Sequence, residues 1–147
     1  MIVFLKKPIF KVNSMNRISF LMAVVVFFTA GCATIKEKTR MTDFEKVSKS
    51  YEQIMLDSDF EAAHGFTDPY AVREAVDLTA YEDFKIVEYQ VKKGRVSDDK
   101  IQVNQIAEVK YYRIDSLVVR TIRYEQLWKY DEVKKTWLLQ TGLPVFK

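Results

Sequence analysis

The chain has 147 residues, with 23 Lys and Arg against 20 Asp and Glu and a formal net charge of +3. Four of the basic residues lie before the apolar run that begins at Ile18, and this leaves 19 basic against 20 acidic side chains in the remainder. That balance excludes the basic excess typical of nucleic-acid-binding proteins, and we expect no nucleic acid partner. The single cysteine excludes an intramolecular disulfide, so the fold must depend on its hydrophobic core.

The N-terminal segment has the three parts of a secretory signal: a basic region, an apolar run and a group of small residues. The apolar run, Ile18 to Phe28, contains one polar residue, Ser19, and is followed by Thr29-Ala30-Gly31-Cys32. A start at Met15 would give a basic region of ordinary length, and we predict it as the true initiator. An uncleaved transmembrane anchor over Ile18 to Ile35 is the alternative, because that uncharged stretch is about long enough to cross a bilayer.

The arrangement of Thr29-Ala30-Gly31-Cys32 after an apolar run resembles the signal of bacterial lipoproteins. The resemblance implies that residues 1–31 are a signal peptide that is removed. It also implies that Cys32 becomes the new N-terminus and carries palmitate-type chains. Ala33 stands where an aspartate would favour retention in the inner membrane, so the outer membrane is favoured. The mature chain would then be anchored in the cell envelope and face the periplasm.

After the cysteine, residues 32–41 predict a lipidated N-terminus and polar tether, and residues 42–147 predict one domain. Thr42 to Glu45 fits a capping box at the start of an amphipathic helix. The apolar stripe of that helix consists of Phe44, Val47, Tyr51, Ile54 and Met55. Ser58 to Glu61 predicts a short second helix, and Asp68-Pro69 predicts the start of a third, with Val72, Ala75 and Val76 facing inward.

From Phe84 onward the apolar period changes from 3.6 to two, which predicts strands. The four predicted strands are Phe84 to Val96, Lys100 to Ile114, Leu117 to Tyr130 and Thr136 to Leu143. Their short polar connections favour an antiparallel meander. The expected fold is α+β, with N-terminal helices packed on one face of a curved four-stranded antiparallel sheet.

Strand register follows from the alternation if the second hairpin turns at Asp115-Ser116 and the third has a loop at Glu132 to Lys135. The predicted partners are then Val109 and Ile122, Ala107 and Tyr124, Val103 and Trp128, Glu108 and Arg123, Tyr130 and Trp137, Trp128 and Leu139, and Tyr124 and Leu143. With a three-residue loop at 97–99, the predicted partners in the first hairpin are Tyr89 and Ala107, and Val91 and Gln105.

Helices followed by long strands, with Trp128 and Trp137 late in the chain, resemble the nuclear transport factor 2-like superfamily, also called cystatin-like or SnoaL-like. The segments Glu125 to Tyr130 and Lys135 to Leu139 are similar to its closing hairpin. The resemblance covers roughly Thr42 to Pro144 and implies a sheet-and-helix pocket, with a homodimer formed through the sheet. Members include isomerases, dehydratases and transport adaptors, so the fold does not determine the function.

In the predicted register, one row of the apolar face is polar. It consists of Gln105, Gln126 and Thr141 beside Val91, and the flanking aromatic residues are Tyr89, Tyr124 and Trp128. Amides and a hydroxyl between aromatic walls suit recognition of a small ligand, and we predict these six polar and aromatic residues as ligand-pocket candidates. The alternative is that the row lies beyond the helical cover and contacts solvent.

No catalytic residue, metal ligand or cofactor is predicted. Isomerase chemistry needs a buried carboxylate, and Glu108 and Glu125 are predicted to point outward. His64 is interpreted as a helix-end residue. The basic cluster of Lys92, Lys93 and Arg95 is interpreted as a solvated sheet edge or a contact with anionic lipid headgroups. A second group of basic residues is interpreted as solvated, with a contact to an anionic partner as the alternative; it consists of Arg113, Arg120 and Arg123.

The leading hypothesis is a lipid-anchored, non-enzymatic binding module of the cell envelope, with an envelope protein or a small ligand as partner. One alternative is an isomerase or lyase that uses the sheet-and-helix pocket. A purely structural envelope lipoprotein is the other alternative.

Overall fold

A computed structural model describes residues 14–72 and 75–147 of the chain and gives side-chain positions from Ile35 onward, except at residues 73–74. The chain divides after Lys36 into two units, and the second, Glu37–Lys147, contains every contact described below. Residues 1–13 of the predicted leader, and the side chains of residues 14–34, including Cys32, lie outside the described positions. The division falls five residues before the predicted tether ends, so the last five residues of that tether belong to the compact domain.

The described chain is an α+β structure with a four-stranded antiparallel sheet. Its elements are α1 (Ser14–Leu56), α2 (Phe60–His64), a 3₁₀ helix (Leu78–Tyr81), β1 (Phe84–Val96), β2 (Gln102–Arg113), β3 (Arg120–Asp131) and β4 (Thr136–Leu139). The strands lie in the order β1-β2-β3-β4, so the predicted antiparallel meander is confirmed.

The predicted register of the second and third hairpins is confirmed in its central part. Val103 lies opposite Trp128, Ala107 opposite Tyr124 and Glu108 opposite Arg123. In the next pair of strands, Trp128 lies opposite Leu139. The predicted pairing of Tyr124 with Leu143 is wrong, because β4 ends at Leu139. The second connection is also longer than predicted, since it spans Ile114 to Val119.

The predicted register of the first hairpin is wrong. Tyr89 lies opposite Val109, and Val91 lies opposite Ala107. Two causes combine. Six residues, instead of the predicted three, separate the paired residues Val96 and Val103, and β1 has two register shifts, between Ile86 and Glu88 and between Val91 and Lys93. Each shift is a β-bulge, which inserts one unpaired residue and moves the following side chains to the other face.

The two faces of the sheet alternate along β2, because successive strand side chains point to opposite sides. The inner face, as we name it, carries Val103, Gln105, Ala107, Val109 and Tyr111 of β2 together with their partners on β1 and β3; these five side chains are buried. The outer face carries Asn104, Ile106, Glu108 and Lys110 with their partners, and these four are exposed or half-buried.

Residues of α1 contact the inner face through aromatic rings. The ring centroids of Phe44 and Trp137 are 5.0 Å apart, and those of Tyr51 and Trp128 are 5.3 Å apart. Trp128 and Tyr51 have no solvent exposure. Edge-to-face aromatic pairs of this kind add to the free energy gained from burying their area. These aromatic rings therefore pack α1 against the inner face.

Helix α1 differs from prediction at its start. Thr42 lies inside the helix, and its hydroxyl donates to the carbonyl of Lys38 at 3.1 Å, so it does not cap the helix. The preceding residues, including Lys36, Glu37 and Arg40, are good helix formers, and no proline or glycine separates them from Thr42. The short helix α2 is confirmed, although its cap is Asp59, whose carboxylate accepts from Ala62 N at 2.9 Å.

The predicted third helix does not form over the described part of its range, residues 68–72 and 75–77. Asp68 does accept from Tyr70 N at 2.9 Å, but only one turn follows. The backbone N–H of Asp68 donates to the carbonyl of Leu139 at 2.8 Å, and Thr67 bridges to the same residue. Pairing with the end of β4 therefore competes with helix formation here.

Candidate functional site

A buried hydrogen-bonded cluster on the inner face contains most of the predicted pocket residues. Gln105 Nε2 donates to Gln126 Oε1 at 2.5 Å, and Gln126 Nε2 donates to the Tyr89 hydroxyl at 2.5 Å. Trp128 Nε1 also donates to Gln126 Oε1, at 3.3 Å. From α1, the Ser48 hydroxyl accepts from Gln105 Nε2 at 3.2 Å. The two glutamines therefore bind each other and their neighbours.

A second buried chain of hydroxyl groups begins on α1. The Tyr51 and Tyr124 hydroxyls are 2.9 Å apart, and Tyr124 donates to the carbonyl of Gly142 at 2.5 Å. Burial raises the pKa of Tyr51, Tyr89 and Tyr124 above the ordinary value for tyrosine. All three hydroxyls therefore stay protonated at neutral pH and act as neutral hydrogen-bond groups.

Thr141 differs from the other five predicted pocket residues in its exposure. Its side chain is exposed, and its hydroxyl accepts from Leu127 N at 3.4 Å. Gln105, Gln126, Tyr89, Tyr124 and Trp128 are buried together, and Thr141 lines an open cleft with Gln105 and Gln126. Val91, which the prediction placed beside this row, is 40% exposed and pairs with Ala107.

An open cleft of about 620 Å³ lies across β1, β2 and β3. Its lining residues are Lys93, Gly94, Arg95, Asn104, Gln105, Ile106, Glu125, Gln126, Leu127 and Thr141. Gln105 and Gln126 are buried, whereas Asn104 and Glu125, their chain neighbours, are exposed. Because strand side chains alternate, Asn104 and Glu125 lie on the outer face, opposite the buried amides. The exposed part of this cleft is therefore built from outer-face residues.

Two cations of the cleft have no counter-ion among the described residues. The side chains of Lys93 and Arg95 make no ion pair or hydrogen bond with any residue that the structure describes, and both are exposed. Other cations nearby are paired: Lys92 Nζ lies 3.6 Å from Glu108, and Arg123 lies 3.4 Å from Glu125. The cleft thus offers two free positive charges beside an acid that already has a partner.

A smaller cleft of about 250 Å³ continues along the outer face and shares Lys93 and Ile106 with the first. Lys92, Thr121 and Arg123 also line it. The sequence predicted the Lys92, Lys93 and Arg95 cluster as a solvated sheet edge or a contact with anionic lipid headgroups, and it predicted that Glu125 points outward. Asn104 was not predicted as a site residue, although its alternation with Gln105 was the available signal.

The described residues offer neither a buried carboxylate for acid–base chemistry nor a group of side chains placed to bind a metal ion. The buried polar side chains there are Thr67, Gln105 and Gln126, and none is a carboxylate. No group of three His, Cys, Asp or Glu side chains in the described part of the chain is placed to hold a metal ion. His64 ends α2, as predicted, and its Nδ1 is buried without a hydrogen-bond partner in the described structure.

Among the described residues, no helix is both long and apolar enough to cross a membrane. The predicted signal peptide and the alternative transmembrane anchor both lie in the part of the chain whose side chains are outside the description.

No protein-family model, curated protein or solved structure matches this chain.

Proposed function

We propose that this chain is a lipid-anchored, non-enzymatic binding module of the bacterial cell envelope. Cys32 would carry the anchor, and the outer face of the sheet would bind the partner. The observation that carries the binding part is the open cleft of about 620 Å³ with two cations, Lys93 and Arg95, whose side chains have no counter-ion in the described part of the chain.

The anchor is supported by the Thr29-Ala30-Gly31-Cys32 sequence and by the position of the domain boundary. The compact unit Glu37–Lys147 begins five residues after Cys32. Each named member of the core cluster, from Met41 to Phe146, lies within that unit. Removal of residues 1–31 would therefore leave these core contacts intact.

Metabolic labelling with an alkyne analogue of palmitate tests the anchor. The wild-type chain should incorporate the label and fractionate with membranes, and Cys32→Ser should incorporate none. Thr34→Ser is the matched control and should label normally. Mass spectrometry of an intact, unacylated N-terminus on the wild-type protein would contradict lipidation. Label in outer-membrane rather than inner-membrane vesicles would support the favoured location, and the reverse would argue against it.

The fold proposal is a nuclear transport factor 2-like domain, in which helices cover one face of a curved sheet. Contacts of Phe44, Ser48 and Tyr51 with inner-face side chains support it. In that arrangement the inner face is occupied by packing and hydrogen bonds, and the outer face is the one available for binding.

Photocrosslinking in living cells tests which surface binds. A benzophenone amino acid at Asn104, in the cleft, should form adducts. The same group at Glu45, exposed on α1, is the matched control and should form far fewer. Adducts with a second copy of the chain would support the homodimer that the resemblance implies. Equal adduct formation at both positions, or none at Asn104, would contradict the proposed surface.

The isomerase or lyase alternative and the structural alternative have no specific observation in their favour. The inner-face cluster presents neutral amides and protonated phenols instead of an acid in the described structure.

A further inference from the structure

We propose that the outer-face cleft binds the phosphate of anionic lipid headgroups in the bilayer to which the chain is anchored. This inference rests on the proposed envelope location, and it assigns a ligand chemistry to the cleft.

The cations are arranged to reach one anion. Lys93 and Arg95 are two residues apart on β1, so both side chains project from the same face. Their partners across the strand pair are Ile106 and Asn104. The guanidinium of Arg95 can donate two parallel hydrogen bonds to a phosphate, and the ammonium of Lys93 supplies a compact positive charge. Asn104 adds an amide donor beside them.

The floor of the cleft suits the apolar portion of a lipid. Ile106 and Leu127 are half-buried, and both line the cleft together with the two cations. Glu125 is the acid within the lining, and its charge is partly compensated by Arg123 at 3.4 Å. A ligand with an anionic head and an apolar body would contact both parts of this surface.

The cleft lies toward the end of the sheet at which the chain enters the domain. The carbonyl of Arg40 accepts from Trp137 Nε1 at 3.0 Å, and Arg40 lies 3.2 Å from Glu132. Leu127 is four residues before the end of β3 at Asp131, which corresponds to about 13 Å along a strand.

The anchor keeps that end near the lipid. Cys32 precedes Arg40 by eight residues, a distance of about 12 Å along a helix or about 28 Å when extended. An anchored chain would therefore hold Lys93 and Arg95 within reach of the headgroups. Basic side chains so close to an anionic surface are attracted to it.

Lysine reactivity in nanodiscs tests the proposal on the full chain as cells make it. The protein is placed in discs of phosphatidylcholine, or of phosphatidylcholine with phosphatidylglycerol, and acetylated briefly. Lys93 should react about fivefold more slowly in the anionic discs because the headgroup covers it. Lys85, at the far end of β1, and Lys49, on α1, are internal controls and should change little.

An Arg95→Gln variant should restore most of the reactivity of Lys93 in the anionic discs, because one of the two phosphate contacts is lost. Lys85→Gln is the matched control and should leave the protection of Lys93 in place. Equal Lys93 rates in the two kinds of disc would overturn the proposal.

Two further outcomes identify other occupants. Protection of Lys93 by glycerol phosphate in phosphatidylcholine discs would assign the cleft to a soluble phosphate and would overturn the membrane proposal. Protection in neutral discs that depends on protein concentration would assign it to a second copy and would do the same. Lipidation is measured separately, from the mass of the N-terminus. The nanodisc holds the chain through either an acylated cysteine or an uncleaved apolar peptide, so failed lipidation and failed headgroup binding give different results.

Discussion

The two faces of the sheet share β2 and β3 but present opposite chemistry. On the inner face, Gln105 and Gln126 bond to each other, to Ser48 and to aromatic hydroxyl and indole groups. On the outer face, one residue along each strand, Asn104 and Glu125 border an open cleft. Polar residues on the inner face thus hold the fold together, whereas those on the outer face remain available to a partner. The residue type alone does not distinguish the two roles.

The largest expected effect is on the inner face. Replacing Trp128 by alanine should lower the free energy of unfolding by about 3–5 kcal/mol, because a side chain with no exposure is lost from contact with Phe44 and Tyr51. Urea unfolding followed by circular dichroism measures the change. Lys129→Ala, one residue along β3 and exposed, is the control. A loss below about 1 kcal/mol for Trp128→Ala would contradict the packing described here.

The second-largest effect is expected from alkaline pH, which should lower the free energy of unfolding through the buried tyrosines of the inner face. Because burial raises the pKa of Tyr51, Tyr89 and Tyr124 in the folded chain, their protons are released more readily on unfolding. Their contribution to stability is present below the unfolded pKa of about 10. Above that pH, the free energy of unfolding should fall by about 1.4 kcal/mol per pH unit for each tyrosine that stays protonated.

A series of urea unfolding curves between neutral pH and pH values above that of free tyrosine measures this slope. Tyr51→Phe should make the slope shallower, and Tyr70→Phe, at an 83% exposed position, should not change it. If Tyr51→Phe and Tyr70→Phe change the slope equally, burial of Tyr51 is not the cause of the pH dependence.

Replacing Gln126 by leucine should cost about 1–3 kcal/mol, because partners of the lost amide are left buried without a bond. Asn104→Leu, on the outer face, should cost far less.

In a double-mutant cycle, Gln105→Leu and Gln126→Leu should couple by about 0.5–3 kcal/mol, since their side chains bond directly. If Gln126→Leu stabilises the protein, the amide does not belong to a structural network.

The smallest effect on stability is expected at the outer face. Glu125→Gln should change the free energy of unfolding by no more than about 0.5 kcal/mol, because the side chain is exposed. It removes the one acid of the cleft lining, so the protection of Lys93 in anionic nanodiscs should increase. Reduced protection of Lys93 would show that Glu125 assists binding, and it would contradict the claim that its negative charge opposes an anionic headgroup.

Much of the sheet was predictable because half-buried strands have a strict period of two. Ala107 opposite Tyr124, and Trp128 opposite Leu139, follow from alternation once the turns are placed, since a slip of one residue would expose the whole apolar set. The stripe that includes Phe44, Tyr51 and Met55 was equally clear, and all three side chains are buried.

The grouping of Gln105, Gln126, Tyr89, Tyr124 and Trp128 was also predictable from alternation, although the register of β1 was wrong. Bulges near Val87 and Lys92 returned Tyr89 to the inner face by a different pairing. The hydrogen bonds that occupy these side chains could not be predicted, because they depend on where Ser48 of α1 lies. The role of these residues in ligand binding remains a prediction.

The alternating apolar residues by themselves determined the antiparallel order of the strands and the pairing of β2 with β3 and of β3 with β4. Tertiary structure decided the register of β1 and the outer-face location of the open cleft's exposed side chains. It also decided that the described residues 68–72 and 75–77 do not form the predicted helix. The physical reason is that alternation is a local property of each strand. Bulges, competing backbone pairs and the cover over one face depend on contacts between residues distant in the chain.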